Sequence, residues 1–232
     1  MNKEREKLIL EKLVRNKKVT VKEIAKDLYI SEPSVRRDLA SLEKQNLIKR
    51  THGGAIIEET ALSLNKIPFV LRELEESDSK LIIAKKAVEL INDNDVIFLD
   101  ASTSAYTMIP FLISKNNVTV VTNGVKALSK LAEYNINTIS TGGRLVSSCL
   151  ALVGEEAYKT IESINADVAF FSCRGLSDDG FITDIAPDEN YVRAKMITHS
   201  KKSYLLCTNN RKGKKFFHNL CHERDLDGII YE

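Results

Sequence analysis

Long hydrophobic runs are absent from this 232-residue chain. No stretch approaches the roughly 20 apolar residues a membrane-spanning helix needs, and the first residues are charged, unlike a signal peptide. No membrane attachment and a cytoplasmic location are therefore expected. Neither Gly-x-Gly-x-x-Gly after a strand nor Gly-x-x-x-x-Gly-Lys-[Ser/Thr] occurs, which argues against a nucleotide cofactor. No cofactor is expected. The four cysteines, Cys149, Cys173, Cys207 and Cys221, contain no Cys-x-x-Cys and read as reduced packing residues. His218, Cys221, His222 and Glu223 form the one grouping that invites a metal, with His218 and His222 sharing a face if helical. Without a second group of suitably spaced ligands, they read as an ordinary partly buried loop and no metal is expected. A strong net charge is also missing, at +2 overall.

That small total conceals a division. Residues 1–50 carry 14 Lys and Arg against 8 Asp and Glu, a balance of +6, whereas residues 61–232 carry 20 against 22. A local cationic excess is what phosphate neutralisation requires. Within the basic head, Ser31-Glu32-Pro33-Ser34-Val35-Arg36-Arg37-Asp38-Leu39-Ala40-Ser41-Leu42 reads as a short helix. Val35, Leu39 and Leu42 follow i, i+4, i+7 spacing and face a small core. Ser34, Arg37 and Ser41 lie on another face with Arg36 at its flank, a pattern suited to a DNA major groove. Ser31 is expected to cap the first-turn amides, and Pro33 is tolerated there.

The neighbouring segments give this helix a context. Lys3 to Arg15 predicts a first helix with Ile9, Leu10, Leu13 and Val14 on its apolar side. Thr20-Val21-Lys22-Glu23 is a capping box opening a second helix. The turn Leu28-Tyr29-Ile30-Ser31 joins it to the third, the helix-turn-helix arrangement. Leu47–Arg50 and Ala55–Ile57 predict two strands around Thr51-His52-Gly53-Gly54, whose glycines are expected to supply the positive φ angles of a tight hairpin. Three helices and a basic hairpin make a winged helix-turn-helix.

The remainder predicts a second, α/β domain. Strands are expected at Val96–Leu99, Val118–Val121, Asn137–Ser140, Val168–Phe171, Tyr204–Leu206 and Gly228–Ile230. Helices are expected at Lys80–Ile91, Tyr106–Ile113 and near 125–134, 155–163 and 189–199. This alternation argues for a Rossmann-like, mostly parallel sheet with helices on both faces. The expected domains are 1–57 and 80–232, with 58–79 a linker that becomes helical. Five strand-end loops collect hydroxyls, small residues, amides and arginines. They are Asp100-Ala101-Ser102-Thr103-Ser104, Thr122-Asn123-Gly124, Thr141-Gly142-Gly143-Arg144, Ser172-Cys173-Arg174-Gly175 and Thr208-Asn209-Asn210-Arg211. Any one could be a simple turn, but ligands of open α/β sheets bind beyond the strands' carboxyl ends. The lining suits sugar hydroxyls and a phosphate.

Arg5 through Ala55 resembles the DNA-binding domain of the DeoR family of bacterial transcription regulators. The matching residues are Arg5, Ser31…Ser34-Val35-Arg36-Arg37-Asp38-Leu39, Leu42-Glu43 and Arg50-Thr51-His52-Gly53-Gly54-Ala55, with Ser34 standing where the family usually has Thr. The resemblance implies DNA contact by Arg36 and Arg37 and places Arg50 and His52 in the wing. Groove geometry assigns Arg37 to bases and Arg36 to phosphate, and makes Asp38 a partner that orients an arginine. Residues 80–232 resemble the same family's effector domain, itself similar to ribose-5-phosphate isomerases. The matching segments are Asp100…Thr103-Ser104, Val120-Val121-Thr122-Asn123, Gly142-Gly143-Arg144, Gly154-Glu155, Gly175…Gly180…Thr183-Asp184 and Glu189…Lys195-Met196. That resemblance makes Asp100, Thr103, Ser104, Gly142, Gly143, Asp184, Glu189 and Lys195 candidate ligand residues. Ser102, Asn123, Arg144, Arg174, Gly175, Asn210 and Arg211 join them from the loops. The family commonly has Gly at the Ser102 position, and an Asp followed three residues later by Lys where this chain has Thr208 and Arg211.

The combined expectation is a DNA-binding regulator of sugar-metabolism genes, a repressor in direction. Its partners would be a double-stranded operator and a phosphorylated sugar, and it would form a homodimer or homotetramer to read paired half-sites. A sugar-phosphate isomerase is the alternative, with Asp100, Asp184, Glu189 and Lys195 as proton-transfer groups. The basic head and the changes at 208 and 211 argue against catalysis.

Overall fold

A computed structural model describes residues 3–57 and 68–232, which divide into two compact units, Met1–Glu75 and Glu76–Glu232. In the first unit, α1 (Lys3–Asn16), α2 (Val21–Asp27) and α3 (Glu32–Lys44) enclose Ile9, Leu13, Ile24, Val35, Leu39 and Leu42. The Thr20–Glu23 capping box forms as the sequence requires, with reciprocal bonds at both ends. Ser31 does not cap α3. Its hydroxyl lies 3.0 Å from that of Ser34, and the first-turn amides take no bond from it.

The wing also departs from expectation. Its strands are β2 (Lys49–Thr51) and β3 (Gly54–Ile56), because Leu47 and Ile48 turn toward the core instead. A third strand, β1 (Lys18–Thr20), pairs antiparallel with β3. Neither Gly53 nor Gly54 has a positive φ. Gly54 is required for close approach: a Cβ there would overlap the Val19 carbonyl oxygen and lie 2.7 Å from Thr20 Cα. The predicted 58–79 linker has three parts. Residues 58–67 lie outside the described residues, α4 (Phe69–Leu74) packs Leu71 into the first unit's core, and Ser77 begins the next helix.

The second unit is built on six parallel strands: β4 (Val96–Leu99), β5 (Thr119–Thr122), β6 (Asn137–Ser140), β9 (Ala166–Ser172), β12 (Ser200–Leu206) and β14 (Gly228–Ile230). Their order is β14-β12-β9-β4-β5-β6, each neighbour parallel. Ile97 and Leu99 face a core closed by α5 (Ser77–Glu89), α6 (Thr103–Met108) and α7 (Val125–Glu133). Phe98 faces the other core, closed by α8 (Glu155–Glu162) and α9 (Pro187–Thr198). Burial on both faces is why the central β4, β5 and β9 read as apolar runs. The helix predicted at Tyr106–Ile113 starts earlier, at Thr103, and tightens to a 3-10 turn over Ile109–Ser114, with Pro110 in its first turn.

Two small antiparallel pieces escaped the sequence reading. One is the hairpin β7 (Arg144–Val146) with β8 (Ala151–Val153). The other joins β10 (Gly175–Leu176), β11 (Phe181–Asp184) and β13 (His218–His222). The His218–Glu223 segment is thus mainly a paired strand, neither helix nor loop. Among the described residues no three His, Cys, Asp or Glu are placed to hold a metal ion, and no helix is long and apolar enough to cross a membrane. All four cysteines are free thiols.

Candidate DNA-reading face and candidate sensor site

Helix α3 packs through Val35, Leu39 and Leu42, which leaves Arg36 and Arg37 exposed on its outer side. Arg37 donates to Ser34 Oγ at 3.2 Å, and Arg36 approaches Glu32 at 3.6 Å. Asp38 does orient an arginine, but the partner is Arg5 of α1. The Arg5 fork donates to both carboxylate oxygens, at 2.5 and 2.7 Å, and these bonds raise its pKa. This pair anchors α3 to α1 and leaves both α3 arginines available at the surface. Ser41 is half-buried and accepts from Gln45 at 3.3 Å. Arg50 and His52 stand exposed on the wing, and together with Arg36, Glu43 and Thr51 they border a cavity of about 370 Å³.

In the second unit, the Asp100 loop and the Asp184 strand end are joined by a residue that the sequence reading missed. Arg193, on α9, is 5% exposed. It donates to Asp100 at 2.9 Å, Asp184 at 2.8 Å, Asn190 at 3.1 Å and Glu189 at 3.4 Å. Burial opposes its charge, but Asp184, Asp100 and Glu189 outweigh burial, and its pKa is raised. Asp100 also accepts the backbone N–H groups of Ser102 and Ser172, and Arg174 lies 3.6 Å from Asp184. Arg211 donates to Ser172 Oγ at 2.8 Å and to the Cys173 carbonyl. Asp100, Asp184, Glu189, Arg174 and Arg211 therefore belong to one connected network.

Ser102 caps α6 through the Ala105 N–H, with Thr103 and Ser104 buried behind it. Asn123 donates to the Leu152 carbonyl. Three buried atoms at this end of the sheet, Ser104 Oγ, Asn123 Oδ1 and Asn190 Nδ2, have no hydrogen-bond partner among the described residues. Gly142 and Gly143 both take positive φ, and a Cβ on Gly143 would sit 2.6 Å from the Val153 carbonyl oxygen. Gly175 is buried, as a Cβ there would strike the Lys214 backbone. Arg144 reaches Asp188 at 2.7 Å on the surface.

Two predicted residues are placed elsewhere. Lys195, two positions from Arg193 and so about 200° round the helix, pairs with Glu162 at 2.5 Å. Asn210 is exposed and accepts from Lys214. At the position where the resemblance leads one to expect Asp, the Thr208 hydroxyl donates to Glu76 at 2.8 Å. Glu76 itself has a left-handed backbone, φ 52°.

A winged helix with an outward basic helix, joined in one chain to a Rossmann-like body with a polar strand-end site, defines a ligand-sensing DNA-binding protein. The comparisons agree. Residues 5–61 match the DeoR-like helix-turn-helix domain and residues 75–232 the DeoR C-terminal sensor domain. The chain belongs to the DeoR family and is a DNA-binding transcriptional regulator. It is 32% identical to the HTH-type transcriptional regulator GolR of Listeria innocua, over 98% of this chain and 89% of that one. It is 30% identical to a lactose phosphotransferase system repressor of Staphylococcus epidermidis, over 91% and 84%. An L-fucose operon activator of Haemophilus influenzae is 32% identical, over 89% and 82%. Among solved structures, eIF2B delta of Chaetomium thermophilum shares the fold at TM-score 0.51 and 16% identity, covering 70% of this chain and 60% of that one. Ribose 5-phosphate isomerase A of Methanocaldococcus jannaschii superposes more loosely, at 0.46 and 17%, covering 60% and 55%.

Proposed function

We propose that this regulator represses genes of sugar metabolism and that a phosphorylated sugar, bound at the strand-end site, sets its grip on DNA. The observation that carries the effector reading is the set of buried, unpartnered atoms Ser104 Oγ, Asn123 Oδ1 and Asn190 Nδ2. Buried polar groups are normally bonded, and leaving one unmade costs about 1–3 kcal/mol. A hydroxylated ligand supplies donors and acceptors to match. Arg174 and Arg211 supply positive charge for a phosphate at the same strand ends. The name of a lactose phosphotransferase system repressor among the relatives supports a sugar and repression.

On DNA, Arg37 reads bases and Arg36, Arg50 and His52 hold phosphates, with Ser34 and Ser41 beside them. A homodimer or homotetramer in the cytoplasm presents paired recognition helices to paired half-sites. The site performs no catalysis in this reading: the carboxylates an isomerase would use are committed to Arg193, and Lys195 points to Glu162. Arg37→Ala tests the reading through DNA selection and anisotropy. Affinity should fall by about 1–3 kcal/mol, with relaxed preference at one base position. Unchanged affinity and preference at matched salt would remove the base-reading role.

A further inference from the structure

The DNA-facing cavity between α3 and the wing contains one group that does not suit it. Glu43 is a carboxylate beside the arginines and His52 that a phosphate backbone would meet. A negative charge there repels DNA unless it does something else. Its geometry shows what that is. One Glu43 oxygen accepts the Arg50 backbone N–H at 2.9 Å, and the other accepts Arg50 Nε at 2.7 Å. These two bonds, the backbone one foremost, hold the Glu43 carboxyl below its usual pKa. The carboxylate therefore grips the wing strand by its main chain and by its side chain together. Nε is tied down, and Arg50 lines the cavity with its guanidinium fixed at that nitrogen. Such a fork is pre-organised, so less freedom is lost when it meets phosphate.

We infer that Glu43 is a positioning residue for DNA binding, which fixes Arg50 and the wing against the recognition helix so that Arg50 meets a backbone phosphate. This rests on the DNA-reading assignment above and adds a role for an acidic residue. It also makes a prediction of sign. If Glu43 were a bystander, removing its charge would strengthen DNA binding. If it positions Arg50, Glu43→Gln weakens binding even though a repulsive charge has gone.

The full-length chain, Glu43→Gln, Arg50→Ala and the double variant would be titrated onto one random-sequence DNA duplex across a salt series. Glu43→Gln should bind about tenfold more weakly, the scale of one charge-assisted hydrogen bond. Its slope of log affinity against log salt should fall by about 0.9, one phosphate contact. In the Arg50→Ala background the sign should reverse, so that Glu43→Gln binds more tightly. A partly unfolded variant would lower the active fraction and leave the slope unchanged, so that result overturns the proposal, as does tighter binding by Glu43→Gln alone. If the unaltered chain has no salt-dependent affinity for duplex DNA, the DNA-reading assignment fails first, an outcome distinct from failure of the Glu43 role.

Discussion

Replacing Arg193 with Met should cost the second unit about 3–5 kcal/mol, the range for breaking a buried ion pair by removing one partner. The structure puts the change in that range. Asp100 is 1% exposed and Asp184 4%, so neither can turn to water when the guanidinium goes. Glu189, with its side chain 14% exposed, can do so in part. Asp100 keeps two backbone N–H donors, and Asp184 keeps that of Ile185 together with the Arg174 guanidinium at 3.6 Å, so the loss of positive charge falls most on Asp100. At about 2–4 °C per kcal/mol for a unit of this size, the melting temperature should drop by about 10 °C. Scanning calorimetry of both chains measures the gap directly. A deficit under about 1 kcal/mol, the scale of an exposed pair, would refute the reasoning.

Other consequences are local. Gly54→Ala should unfold or severely destabilise the first unit, because the added methyl meets the Val19 and Thr20 backbone rather than a movable side chain. Circular dichroism would detect this, and a wild-type melting curve would contradict the close packing of β1 on β3. Cys221, pushed up to about 12 by burial with Asp225 adding to it, should be almost entirely thiol at pH 8. Its alkylation in the native chain should run about three orders of magnitude below the rate after unfolding; equal rates, read by mass spectrometry, would refute the shift.

How much of this was legible in the sequence depends on whether partners are near in the chain. The Thr20–Glu23 box, the Val35/Leu39/Leu42 stripe and the six parallel strands rest on local periodicity, and they formed close to where the sequence placed them. Gly54 was recognisable as special, but its reason lies in β1, a strand too short to announce itself. Asp38 was readable as an arginine's partner, yet Arg5 lies 33 residues away and nothing local favoured it over Arg36 or Arg37. Arg193 was missed because its partner Asp100 is 93 residues distant. One signal was available: Arg193 lies four residues after Glu189 and three before Met196, on the buried side of α9. An arginine on a core-facing stripe needs a carboxylate, and the strand ends held two. The ligand-site candidates divide the same way. Asp100, Asp184 and Glu189 meet, whereas Lys195, assigned from its place in a motif, faces α8.

A ligand at the strand-end site should change the chain's hold on DNA. The direct measurement is DNA affinity at fixed salt, with and without a sugar phosphate that raises the melting temperature of the second unit. A shift of about 5–150-fold is expected, the usual span of coupling energies. By the same linkage, DNA should shift the affinity for the sugar phosphate by an equal factor. A sugar phosphate that binds the second unit and leaves DNA affinity unchanged would contradict that coupling.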